Sequence, residues 1–163
     1  MLGARELEIS WAAGDTSEYW TWTPHADSRF PEVAQLEFVW WLDIRGKINT
    51  RLLSPKTSYA AFLVFKLAEW SQGLHVANAM IRFIDDESNK VAEERAHVVH
   101  LQIVDHIKGK IAVNRADGWM EVEMGNFYCD EGDEGEVEVR LFEISEWDKE
   151  GLIVEGLEFR PLY

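Results

Sequence analysis

A single cysteine, Cys129, serves this 163-residue chain, so no intramolecular disulfide can staple it. With no histidine following it in a nucleophile pattern, that thiol is expected to be inert. Basic residues are scarce as well: 16 Lys and Arg stand against 30 Asp and Glu, for a formal charge of −14. Such a field repels nucleic-acid phosphate and anionic headgroups, so RNA is a partner disfavoured by charge. Scattered pairs such as Lys108 and Lys110 do not amount to a basic patch. Long hydrophobic runs are missing. Nothing approaches the ~18 apolar residues of a membrane span. Met1-Leu2-Gly3-Ala4-Arg5-Glu6 turns charged at once, unlike a signal peptide. These absences predict a reduced, soluble, cytoplasmic protein that is not conventionally secreted and does not insert into membranes.

Ready-made cofactor motifs are also lacking. Asp130-Glu131-Gly132-Asp133-Glu134-Gly135 has neither the basic residue of a phosphate loop nor the spacing of an EF-hand. His97, His100 and His106 fall in one segment, and a strand would align His100 with His106, but the spacing matches no metal motif. No metal and no cofactor are expected.

Aromatic residues, in contrast, are plentiful, with eight Trp among them. Indole combines a broad apolar face with one N–H donor, which suits both cores and ligand platforms. Most apolar segments alternate with period two, as half-buried strands do. In 38–48 one face carries Phe38, Trp40, Leu42, Ile44 and Ile48, the other Trp41, Asp43, Arg45 and Lys47. Segment 59–67 is apolar on both faces and should be a central strand. Segments 7–11, 77–84, 97–107, 119–124, 136–145 and 152–160 complete the set, with Gly, Asp, Ser and Pro turn chemistry between them. Short helices are expected only at 31–36 and 86–96. Eight or nine strands at this spacing predict an all-β fold over residues 1–163, an antiparallel, jelly-roll-like β-sandwich in one domain.

Two constellations are candidates for a site. The first is Trp11 with Ser17-Glu18-Tyr19-Trp20-Thr21-Trp22. A pyranose ring offers a patch of axial C–H groups that an indole matches, while its hydroxyls suit nearby carboxylates or amides. Trp20 and Trp22 share one side of any extended segment, where they serve equally well as core anchors. The second is 135–144. There Glu143 continues the apolar face of Val137, Val139 and Leu141, where an unpaired carboxylate is costly. Glu136, seven residues earlier, falls on the opposite face of a straight strand unless a turn or bulge intervenes. Two carboxylates beside an aromatic platform also describe a glycoside hydrolase, and that reading stays open at this point.

These segments resemble the phloem protein 2 family of plant lectins (the Nictaba-related lectins). The likeness runs through Ala4-Arg5-Glu6-Leu7-Glu8-Ile9-Ser10-Trp11, Tyr19-Trp20-Thr21-Trp22 and residues 41–50, 53–55 and 57–67. It continues in Asp117-Gly118-Trp119-Met120-Glu121-Val122, Gly135-Glu136-Val137-Glu138-Val139 and Gly151-Leu152-Ile153-Val154-Glu155-Gly156. Within the family the chain is most similar to the small cucurbit phloem lectins. The resemblance implies a β-sandwich that binds N-acetylglucosamine oligomers (chitooligosaccharides), GlcNAc-containing glycoproteins and N-glycan cores, without catalysis. It further implies a homodimer, a place in phloem sap (sieve elements and companion cells), and a role in plant defence. Positions that the family uses for sugar match Trp11, Trp20, Glu136 and Glu143, with Tyr19 and Trp22 as their aromatic neighbours. No lysine-rich import tract occupies 85–106 and no F-box precedes the matching segments, so neither nuclear targeting nor a ubiquitin-ligase role is expected. A phloem RNA-binding protein is the alternative within the same resemblance.

Overall fold

The computed structural model describes residues 1–12, 18–103 and 109–163. The expected strand periodicity yields two packed sheets, assembled from thirteen strands among the described residues. In chain order the first are β1 (Leu2–Gly3), β2 (Glu8–Ile9), β3 (Trp20–Thr23), β4 (Val33–Leu36) and β5 (Leu42–Asn49). Then come β6 (Thr57–Gln72), β7 (Val76–Phe83), helix α1 (Asn89–Glu94) and β8 (His97–His100). The chain closes with β9 (Lys110–Ile111), β10 (Val113–Asn114), β11 (Met120–Cys129), β12 (Glu136–Glu143) and β13 (Glu150–Leu162). One sheet runs β10-β11-β6-β13-β4-β3, with β1 added on β13, and the other β2-β5-β12-β7-β8-β9. Every pairing is antiparallel except β8 with β9. The expected antiparallel β-sandwich is therefore the fold, with more strands than the eight or nine expected because β1, β2, β9 and β10 are pieces of only two residues each.

Alternation decides which side chains meet between the sheets. Leu63 and Phe65 of β6, Leu152 and Val154 of β13, Leu42 and Ile44 of β5, and Val137, Val139 and Leu141 of β12 form one buried cluster. The strand expected at 59–67 is central as predicted, lying between β11 and β13. At Gly125, with φ of +143°, β11 slips register by a bulge and continues to Cys129, beyond its expected end at 124.

Two expectations need correction. Residues 31–36 are not helical: Val33–Leu36 is β4, bonded between β13 and β3. A segment this short cannot offset helix nucleation, and open ladder partners on both sides capture it. The outer side of β12 is not half-solvated either. Arg140 donates from Nε and an Nη to Asp43 at 3.0 and 2.8 Å and reaches Glu93 of α1 at 2.5 Å. Arg82 donates to Glu138 at 3.0 Å beside them. Polar alternation thus reflects a buried ion network under α1, whose Ser88 cap accepts from the Val91 amide at 3.2 Å. The strand expected at 97–107 spans His97–His100; His106 lies outside the described residues, as do Ser17 and the turn at Gly14-Asp15.

An aromatic cleft at one end of the sandwich

At one end of the sandwich β3 begins, β4 ends, β5 begins, β12 ends and β13 begins, so several connections converge there. Trp11, Tyr19, Phe38, Val39, Trp40 and Trp41 line a cleft of about 290 Å³ at this end. Their rings form a continuous series. Trp11 meets Tyr19 edge-on at 5.7 Å, Tyr19 lies 6.5 Å from Phe38, and Phe38 meets Trp40 edge-on at 6.2 Å.

Each wall has a local cause. The Ala12 amide closes a tight turn onto the Ile9 oxygen at 3.3 Å, placing Trp11 at φ of +70°. That left-handed conformation is costly for a residue with a Cβ, and it carries the indole outward, 57% exposed. Tyr19 sits just before β3, and its main-chain oxygen accepts from the amides of Glu37 at 2.8 Å and Phe38 at 3.3 Å. Those bonds tie the first wall to the second. Phe38 to Trp41 precede β5 instead of belonging to it, so alternation does not apply and consecutive Trp40 and Trp41 are 61% and 46% exposed.

The loop between β12 and β13 holds Trp40 in place. Asp148 accepts from Trp40 Nε1 at 2.6 Å. Lys149, completely buried, donates from Nζ to the oxygens of Trp40, Ser145 and Trp147 at 2.6, 2.8 and 3.0 Å. All three ammonium protons are thereby used. Burial pushes this amine below the ordinary lysine range, against the opposing charges of Glu143 and Asp148.

The predicted residues divide between places. Trp11 and Tyr19 meet in the cleft. Trp20, only 1% exposed, packs in the core because β3 turns its even positions inward. Trp22 follows Trp20 on that side, partly buried under the Arg5 guanidinium at 3.9 Å. Glu143 pairs in register with Leu42, one residue from Trp41, and its buried carboxylate accepts from the Ser145 amide at 2.9 Å. It therefore shapes the loop behind Trp40. Glu136 is exposed at the far end of the same strand, opposite Asn49. Seven residues at ~3.3 Å each separate the two by about 23 Å, far beyond the spacing of a glycosidase carboxylate pair.

Phe38, Trp40, Trp41, Asp148 and Lys149 were not singled out by sequence. One signal was available: two adjacent Trp cannot both face inward on a strand, so one of them had to be exposed. Among the described residues no group of three His, Cys, Asp or Glu side chains is arranged to hold a metal ion, and no helix is long and apolar enough to cross a membrane.

The family model described as phloem protein 2 matches residues 1–161. The chain is similar to two proteins of Arabidopsis thaliana, F-box protein PP2-B10 (37% identity) and F-box protein PP2-B12 (40%). Each match takes in 99% of this chain but 59% and 60% of those relatives, so the chain spans about three-fifths of their length. A bacteriophage CBA120 tailspike protein 4 domain superimposes with a TM-score of 0.49 at 11% identity, over 98% of this chain and 20% of that one. With the family model spanning nearly every residue, the chain belongs to the phloem protein 2 family.

Proposed function

We propose that this protein is a carbohydrate-binding lectin whose site is the cleft of Trp11, Tyr19, Phe38, Trp40 and Trp41. The carrying observation is the run of four touching rings in an otherwise apolar recess, on a chain of the phloem protein 2 family. Ring faces of this kind accept the C–H patch of a pyranose, and the exposed carboxylates of Glu18 and Asp148 suit its hydroxyls. N-acetylglucosamine oligomers are the proposed ligands. Binding without cleavage, in cytoplasm and phloem sap, is the proposed role. A homodimer presenting two such clefts would raise avidity through effective concentration.

Calorimetry with chitotriose tests this reading. Measurable heat for the wild type, lost in folded Trp11→Ala and Trp40→Ala proteins, supports it. Absence of binding at millimolar ligand, or equal affinity in both variants, overturns it.

One second reading is favoured by the names of the matched relatives: the same cleft serves as the recognition surface of an F-box protein. Retention of a glycoprotein by the domain that depends on Trp11 and Trp40, and is abolished by removing the glycan, supports it. Retention indifferent to the glycan counts against it.

A further inference from the structure

A second cavity, of about 280 Å³, opens between β7 of one sheet and β11 of the other and shares no residue with the aromatic cleft. We infer that it is a binding site for a small carboxylate with an apolar body, held by His97 and Arg82 at its charged end and by Phe83 and Phe127 along the rest.

The space has a local origin. Register between β11 and β6 slips at Gly125, whose φ of +143° is rarely open to a residue with a Cβ. A methyl group there would lie 3.0 Å from Ile81 Cδ1 and 3.8 Å from His97 Cε1, so the glycine keeps this wall clear. Phe83 and Phe127, both lining residues, meet edge to face at 6.1 Å and supply an apolar part. Apolar walls with a few convergent polar groups are the usual form of a small-molecule site.

The polar part is cationic. None of the lining residues is acidic, in a chain where 30 acidic side chains stand against 16 basic ones. His97 Nε2 is buried and has no hydrogen-bond partner among the described residues. A buried polar atom left in that state is costly, and a ligand atom at hydrogen-bond distance removes the cost. Burial first, and the charge of Lys110 second, favour the neutral imidazole, which still has one N–H to donate to an anion.

The two arginines of the lining are fixed but not exhausted. Arg82, its side chain 12% exposed, donates from Nε to Glu138 at 3.0 Å and from Nη1 to the Glu87 main-chain oxygen at 2.9 Å. Arg95 donates from Nε to the Glu87 carboxylate at 2.6 Å and from Nη2 to that carboxylate and to the Ile81 oxygen. Each guanidinium thus keeps one NH2 group without an acceptor among the described residues. Glu87 and Glu138 offset part of the charge, which suits a single carboxylate better than a doubly charged phosphate.

The test titrates the intact protein with phenylacetate at pH 7, where the acid is ionised, and follows the backbone amide signals by NMR. Saturable shifts at Gly125, Asn126 and His97 are expected, with a Kd on the order of 1 mM. Phenylacetamide, of the same shape without the charge, should bind at least about tenfold more weakly. His97→Leu should weaken phenylacetate about tenfold, whereas His97→Gln, whose amide offers an N–H in place of Nε2, should stay within about threefold of the wild type. The proposal is overturned by the absence of saturable shifts at about ten times that concentration, or by shifts confined to the aromatic cleft. Equal binding of phenylacetamide overturns it too, as does a His97→Leu protein that binds phenylacetate as the wild type does.

Discussion

Lys149 donates from Nζ to the main-chain oxygen of Trp40 at 2.6 Å from a position with no solvent exposure. A buried ammonium is tolerated only when its donors are used, and here Ser145 and Trp147 take the other two protons. The exposed aromatic wall is thus fastened from behind. Lys149→Met should leave those carbonyls without their donor and lower unfolding stability by about 2 kcal/mol. Urea denaturation should show it as a lower midpoint at unchanged slope. Chitotriose affinity should fall as well, because Trp40 loses its anchor.

Trp20 and Trp11 should respond oppositely to truncation. Trp20 is buried in the core, so Trp20→Ala should cost about 3–5 kcal/mol of stability. Trp20→Phe, which keeps most of the volume, should retain ligand affinity in calorimetry. If Trp20→Phe lost binding while fully folded, the ring would belong to the site after all.

Backbone strain at Trp11 allows a sharper test. At φ of +70° a glycine is at ease and an alanine is not. Trp11→Gly should therefore be about 1 kcal/mol more stable than Trp11→Ala, with both losing ligand binding alike. Thermal unfolding and titration of the two proteins side by side would check it.

Acid should attack the network under α1. Burial alone would raise the Asp43 carboxyl, but hydrogen bonds from Arg140 and then Arg45 outweigh it and hold the group below the ordinary 3.8. A lowered folded value means that this contribution is complete above about 3.8 and is lost as pH falls through the folded value. Asp43→Asn should remove that acid-dependent loss and, near neutrality, cost about 3 kcal/mol by leaving Arg140 with Glu93 alone. Stability measured across acidic pH for both proteins reads this directly.

His97 should add a second, milder pH dependence of the same sign. Burial first, and the charge of Lys110 second, push its imidazole below 6.5. The unfolded chain then holds more protons than the folded one just below that value, so stability declines as pH drops from about 6.5 toward the folded value. His97→Gln should flatten this part of the profile while leaving the Asp43 part in place.

Much of this molecule was legible in its residues. Period-two alternation marks the core positions of β5, β6, β12 and β13, and the doubly apolar stretch 59–67 marks the central strand, because strand side chains alternate whatever their partners. The aromatic site was half legible. Trp11 and Tyr19 could be singled out by chemistry, and Trp20 with equal right, since an indole suits a core and a platform alike.

What the chain could not decide by itself was where each strand begins and which loops converge. Two residues of difference at the start of β5 separate a core Trp40 from an exposed one. The pairing of β12 with β5 sends Glu136 and Glu143 to opposite ends of the sandwich. Alternation is a local property that sequence alone determines. The meeting of Trp11 and Tyr19 with Phe38 and Trp40, fastened by Asp148 and Lys149, depends on register between distant strands, which only the tertiary structure decides.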